Sequence, residues 1–236
     1  MLKYTIATAK AETDILTEYG VHVSGTKGLF GRPDLKTPTK FDWDYLNGEW
    51  VDLRSRRYKP REITMKCWLK GSSKQVAIDK MNTFFKAFSA NTLIRLHVEF
   101  LNNDGTMPVY DTTKGLFYLV YLTKANVSKY KWRSGKQIVE FEITLVEPSP
   151  IKRIYQVSGT DSGTVTVTYN SASEFDIHWG DGGITYDCLG SGSESHAYTT
   201  SGKHFIIVTG VITDISAMTF SASTNEITIT QIYSEI

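Results

Sequence analysis

Between residues 61 and 89 the hydrophobic period of the chain changes once, from that of a strand to that of a helix, and this change limits the folds open to it. Ile63, Met65, Cys67 and Leu69 alternate with Thr64, Lys66, Trp68 and Lys70. Successive side chains of a strand point to opposite faces, so the run predicts a half-buried strand, with Trp68 the exception on its polar face. Gly71 ends it. Ser72 and Gln75 fit a capping box, and Val76, Ile78, Met81, Phe84, Phe85 and Phe88 recur at helical spacing. One amphipathic helix is predicted over 73–89, with its Phe-rich stripe as core. Burying three Phe side chains contributes on the order of 5 kcal/mol before entropy costs.

Most of the remaining signals are those of strands and turns. Gly20, Gly25, Gly28, Gly31, Pro33 and Pro38 punctuate the first 60 residues. Tyr19–Val23 reads as a short strand and Gly25–Lys40 as a long exposed loop. Phe41, Trp43 and Tyr45 alternate with Asp42 and Asp44, Asn47-Gly48 is a turn dipeptide, and Trp50–Leu53 resumes beyond it. Ile94, Leu96, Val98 and Phe100 alternate with Arg95, His97 and Glu99. After a turn at Asn102–Thr106, Leu116–Thr123 is apolar enough for a central strand. Tyr130-Lys131-Trp132, Ser134-Gly135 and the alternating Val139, Phe141, Ile143 and Leu145 read as a hairpin.

Glu147-Pro148-Ser149-Pro150 cannot continue a strand comfortably, so a domain boundary is expected there, dividing 1–150 from 151–236. The second part has no helical pattern. Val165–Tyr169, Phe175–Trp179, His204–Val208 and Glu226–Tyr233 read as short strands between Gly, Ser and Asp clusters, which fits an antiparallel sandwich. The fold class expected is mainly β, a sandwich with one α-helix followed by an immunoglobulin-like sandwich.

Composition supports two globular modules. Hydrophobic residues make up 41% of the 236, enough for a real core and too many for a disordered chain. The total of 26 basic and 25 acidic residues gives nucleic-acid binding no support. The distribution is uneven: 23 basic and 16 acidic residues in 1–150 give +7, and 3 basic and 9 acidic in 151–236 give −6. Cys67 and Cys188 fall one in each part, which argues against a disulfide framework and for reduced thiols in a cytoplasmic setting. Met1–Lys10 lacks a signal pattern and no stretch approaches the ~18 apolar residues of a membrane span, so a soluble chain without an export signal is expected.

Candidate chemistry is sparse. His22, His97, His178, His196 and His204 do not fall at metal-binding spacings, and no G-x-S-x-G elbow is present. No cofactor and no catalytic residue is assigned. The run Gly25-Thr26-Lys27-Gly28-Leu29-Phe30-Gly31 lacks the ending of a phosphate loop, so Gly25, Gly28, Phe30 and Gly31 are assigned to a flexible assembly loop that orders against a neighbour. Arg54, Arg56, Arg57 and Arg61, with Tyr58 and Lys59 among them, suit a basic contact surface between subunits better than a nucleic-acid site. Trp179-Gly180-Asp181-Gly182 reads as a structural turn, its glycines taking left-handed angles and its carboxylate bonding to turn amides. Asp176, Asp181 and Asp187 form no calcium loop of known spacing.

Two resemblances follow from these motifs. Phe175-Asp176-Ile177-His178-Trp179-Gly180-Asp181-Gly182, with His196-Ala197-Tyr198, Gly202 and Phe205–Gly210, resembles PKD-type domains, although Phe205 stands where Tyr is usual. The basic strand Arg61–Gly71 leading into one helix, and the closing run Val139–Pro148, resemble the N-terminal domain of phage distal tail proteins and the related tail-tube proteins. The second resemblance implies a ring of copies, usually a hexamer, contacts with other tail proteins, location in the virion tail, and an outward C-terminal module that could touch a host surface glycan. The alternative is a carbohydrate-binding or adhesive surface protein in which Trp43, Trp50 and Trp132 form a sugar platform.

Overall fold

In a computed structural model, residues 2–7, 12–45, 47–52, 57–101, 115–133, 136–158, 163–199, 202–224 and 227–234 are described. The chain starts with strand β1 (Leu2–Ala7) and the short β2 (Thr13–Asp14). Asp14 then caps α1 (Ile15–Tyr19), its carboxylate accepting from the amides of Leu16 and Thr17 at 2.8 and 2.9 Å. Gly20, at φ +64°, closes this helix in the left-handed conformation, and β3 (Val21–Lys27) follows. The strand expected from Tyr19 therefore begins two residues later, because Tyr19 completes the capped turn.

The aromatic segment forms a two-stranded hairpin of β4 (Lys40–Asp42) and β5 (Glu49–Val51), with Gly48 at φ +87° in its turn. Strand β6 (Arg61–Gly71) buries Ile63, Met65, Cys67 and Leu69, as the alternation predicts. Helix α2 (Lys74–Lys86) is capped by Ser73 rather than Ser72; the Ser73 hydroxyl accepts from the Val76 amide at 3.2 Å. Gln75 instead donates to Asp79 one turn on. Ala77, Met81 and Phe84 are the helix's buried face, Phe88 is buried just beyond its end, and Val76 points outward.

Strands β7 (Ile94–Phe100), β8 (Leu116–Arg133) and β9 (Lys136–Glu147) complete a seven-stranded sheet of order β2-β1-β7-β8-β9-β6-β3. The expected hairpin is β8–β9, paired as far as Arg133 and Lys136; its Ser134-Gly135 turn lies outside the described residues. Strand β8 is central and changes partner along its length. Residues 116–120 pair with β7, and 121–133 pair with β9. Both halves of the sheet contribute to one core, in which Ile94, Leu96 and Val98 join Met65, Phe84, Phe141 and Ile143.

The second sheet contains β10 (Arg153–Ser158), β11 (Thr164–His178), β12 (Ile184–Ala197), β13 (His204–Gly210), β14 (Ile215–Ala222) and β15 (Thr228–Ser234), with a 3₁₀ turn at Ile212–Asp214. The runs expected as separate strands at Val165–Tyr169 and Phe175–Trp179 belong mainly to one strand, β11, whose register shifts between Ser171 and Phe175. Its first half pairs with β12 and β14 and its second with β12 and β13, so the sheet turns around a separate core containing Val167, Phe175, Trp179, Tyr198 and Val208.

Candidate functional site

The two sheets meet along a polar seam. Alternation places Arg95 and His97 on the face of β7 away from the first core, and the second sheet covers that face. Arg95 donates to Asp176 at 2.6 and 2.9 Å and to Asp187 at 2.5 Å, and its guanidinium lies 4.7 Å from the Tyr186 ring centre. Phe117 is stacked between His97 and His178, at 4.2 and 3.5 Å between ring centres. Glu12 lies 3.5 Å from His97 and accepts from the Tyr186 hydroxyl. Burial, then the electrostatic influence of His97, Lys152 and Arg95, holds His178 well below its ordinary range. Among the described residues no three His, Cys, Asp or Glu side chains gather into a metal-holding group.

The assigned basic surface divides. Arg54 and Arg56 lie outside the described residues. Arg57 is exposed, but Arg61 turns inward, a correction to its assignment. It pairs with Glu147 at 3.1 Å, donates to the Leu29 carbonyl at 3.2 Å and lies over Tyr118. Lys152 approaches the same Glu147 at 3.0 Å. Strand alternation put Arg61 on the buried face of β6, which its sequence neighbours did not indicate.

The Gly-rich segment is anchored at its start. Gly25–Lys27 belong to β3, Leu29 is buried, and its carbonyl also accepts from Tyr118 at 2.5 Å. Gly28 has φ +81°, and a Cβ there would lie 2.0 Å from the Glu62 carbonyl oxygen. The expected long exposed loop is thus corrected to begin at Phe30, which is exposed together with Gly31. Beyond them Leu35 bridges to Tyr58, and backbone hydrogen bonds join Lys36 to Arg57 and Asp34 to Lys59.

In the Trp179-Gly180-Asp181-Gly182 turn, the Trp179 amide donates to the Gly183 carbonyl at 2.9 Å, with Gly180 and Gly182 at φ +89° and +100°. Asp181 accepts from the Gly183 amide at 2.9 Å and pairs with His196 at 2.7 Å. Burial would raise the Asp181 carboxyl, but these hydrogen bonds outweigh it and hold it below the ordinary carboxylate range. The Tyr198 hydroxyl donates to the Trp179 carbonyl at 2.9 Å, and the Trp179 indole donates to Thr185. Asp176 and Asp187 instead share Arg95.

Exposed aromatic surface collects on the β4–β5 hairpin. Phe41 stacks on Trp43 at 5.7 Å and 9°, Trp50 packs against Phe41 at 5.5 Å, and Tyr45 extends the row. Trp132 is in another cluster, stacked on Tyr130 with Lys74 over its ring. The periodicity of residues 41–45 revealed the strand, but not that its rings face solvent.

This fold is similar to that of a phage distal tail protein. The Dit protein of phage SPP1, described as a paradigm of the hub adsorption apparatus in phages infecting Gram-positive bacteria, is 9% identical; the match covers 87% of this chain and 98% of that one, with a TM-score of 0.45. A chain of the phage p2 baseplate in its activated conformation with Sr is 9% identical over 89% of this chain and 98% of its own, also at a TM-score of 0.45. A chain of the phage P2 baseplate in its activated conformation with Ca matches 88% of this chain and 98% of its own, at 9% identity and a TM-score of 0.45. The likeness is one of fold and transfers no residue roles. No protein-family model and no curated protein matches the chain.

Proposed function

We propose that this chain is a non-enzymatic structural component of a phage or prophage tail, of the distal tail type. It assembles with copies of itself into a ring, binds other tail proteins, and carries residues 151–236 outward as a PKD-like module able to contact a host surface glycan. In this reading residues 1–150 are the assembling domain, Phe30 is the exposed tip of the assembly loop anchored through Gly28, and the Trp179–Gly182 turn is structural.

The observation that carries the proposal is the exposed row of Phe41, Trp43, Tyr45 and Trp50 on the β4–β5 hairpin. Contiguous exposed aromatic surface is disfavoured on a solitary protein and common where a partner covers it. Light scattering and electron micrographs of the purified chain test the reading: discrete rings are expected, and a monomer at every concentration would overturn it. A second reading uses the same rings. The near-parallel stack of Phe41 and Trp43 also suits the apolar face of a sugar. Saturable binding on a glycan array, lost in Trp43→Ala and Trp50→Ala, would favour that reading.

A further inference from the structure

Two exposed surfaces of the chain carry opposite charge. The β4–β5 hairpin region, residues 40–52, carries one basic and four acidic residues, a net charge of −3. Lys40 and Glu49 pair across its strands at 2.6 Å. Asp42 and Asp44 are exposed and form no ion pair among the described residues.

The second surface is the outer face of the sheet half built from β3, β6, β9 and β8. Residues directly opposite in an antiparallel ladder share a face, so the register sorts the side chains. Phe141, Ile143 and Leu145 point into the core, and Lys124, Asn126 and Lys129 oppose Thr144, Glu142 and Glu140 on the other face. Lys124 and Lys129, five residues apart, would fall on opposite faces of a regular strand. The register shift between Val127 and Lys129 absorbs Ser128 and returns Lys129 to the face of Lys124.

By the same sorting Lys27, Lys66, Lys70 and Lys131 join them, against Glu62, Glu140 and Glu142, so among the residues whose side chains are described this face carries +3. Lys131 is held by Glu140, while Lys124 and Lys129 are exposed and form no ion pair among the described residues. The face is not flat. Lys66, Trp68, Asn126, Ser128, Glu140 and Glu142 line a depression of about 870 Å³, and Trp68 stands stacked on His22 at 4.1 Å.

We infer that the acidic, aromatic hairpin of one copy docks on this basic outer face of the next. The inference rests on the assembly reading above and names its contact surfaces. Asp42 and Asp44 pair with Lys124 and Lys129, and the hairpin rings enter the depression beside Trp68, where the lysines can also lie over their faces. Because the two patches differ, the contact is heterologous: each copy offers both, and the contact propagates until a ring closes. A two-fold dimer would need one self-complementary patch.

Charge exchange tests this on the full chain. Asp42→Lys with Asp44→Lys should abolish the assembly seen by analytical ultracentrifugation, as should Lys124→Glu with Lys129→Glu. The variant carrying all four changes should recover it. All these side chains are exposed, so melting temperatures should stay at the wild-type value and confirm folding. The milder Asp42→Asn and Lys129→Gln changes should weaken assembly at least several-fold, and so should raised salt on the wild-type chain. If the wild type assembles and folded charge-reversal variants assemble equally well, this interface is wrong and the ring reading survives. If folded single-surface variants fall apart and the four-fold variant does not recover, the pairing is wrong. A wild type that never assembles overturns both.

Discussion

Arg95 and Asp176 form a two-pronged ion pair, at 2.6 and 2.9 Å, between a strand of the first sheet and a strand of the second. Asp176 is only 1% exposed and also accepts from the Asp187 amide. Its charge is tolerable there because the guanidinium meets both oxygens. Arg95→Ala would leave a buried carboxylate without its counter-charge, a class of change that costs about 3–5 kcal/mol. The expected result is a large loss of stability in urea unfolding. Asp187→Ala, on the half-exposed side of the same cluster, should cost no more than about 1 kcal/mol.

Beside that pair, His178 gives the seam a pH dependence. Its pKa in the folded protein lies well below the unfolded value of 6.5, first through burial and then through His97, Lys152 and Arg95. Between the two values the unfolded chain binds the extra proton, so stability falls as pH drops below 6.5. The slope from this one group approaches about 1.4 kcal/mol per pH unit. Carboxylates of the region shift as well: Glu12 and Asp181 are lowered and act below their ordinary values, while burial raises Glu147 and gives it the opposite slope. Comparison with His178→Gln isolates the histidine. Unfolding free energies of the wild type should drop faster from pH 6.5 towards 5 than those of the variant.

Gly180 and Gly48 have nearly the same backbone, at φ +89° and +87°, in different surroundings. A Cβ at Gly180 would lie 2.7 Å from the backbone of Phe205, whereas a Cβ at Gly48 would meet nothing within 4 Å. Gly48→Ala should cost only the left-handed backbone penalty, about 1–2 kcal/mol. Gly180→Ala adds a clash with main chain that cannot rotate away, so its loss should exceed that of Gly48→Ala by about 1–3 kcal/mol. Paired denaturant melts of the two variants make the comparison.

Much of the fold could be read from the chain because one face of each main strand is apolar. The alternation at 63–69, the strand at 94–100 and the closing run at 139–145 all appear where expected. What sequence could not give was the partner of the other face. Arg95 and His97 look like solvent-facing positions until the second sheet covers them, because a pattern of period two records which residues alternate and not what lies opposite. The same limit applies to Arg61, read as surface from its basic neighbours. The long β11 was divided because Ser171-Ala172-Ser173 resembles a loop, although it forms the bend of a continuous strand. The aromatic hairpin was legible as a hairpin, but a period of two does not record whether anything packs over its rings.

Helix α2 separates what periodicity implies from what packing decides. Val76 and Phe84 both belong to its apolar sequence stripe. Phe84 is fully buried, with Tyr19, Phe88 and Phe141 around it at ring distances of 5.5, 5.2 and 5.9 Å. Val76 is 37% exposed, because it is its neighbour Ala77 that turns to the sheet and packs on Gly71 at the end of β6. Phe84→Ala should therefore cost about 3–5 kcal/mol, combining lost transfer energy with a cavity that the surrounding rings cannot fill. Val76→Ala should change stability by less than about 0.5 kcal/mol, because little area is lost and alanine is the better helix former. Chemical denaturation of both variants, read by tryptophan fluorescence, should show a shifted midpoint for the first and an unchanged one for the second.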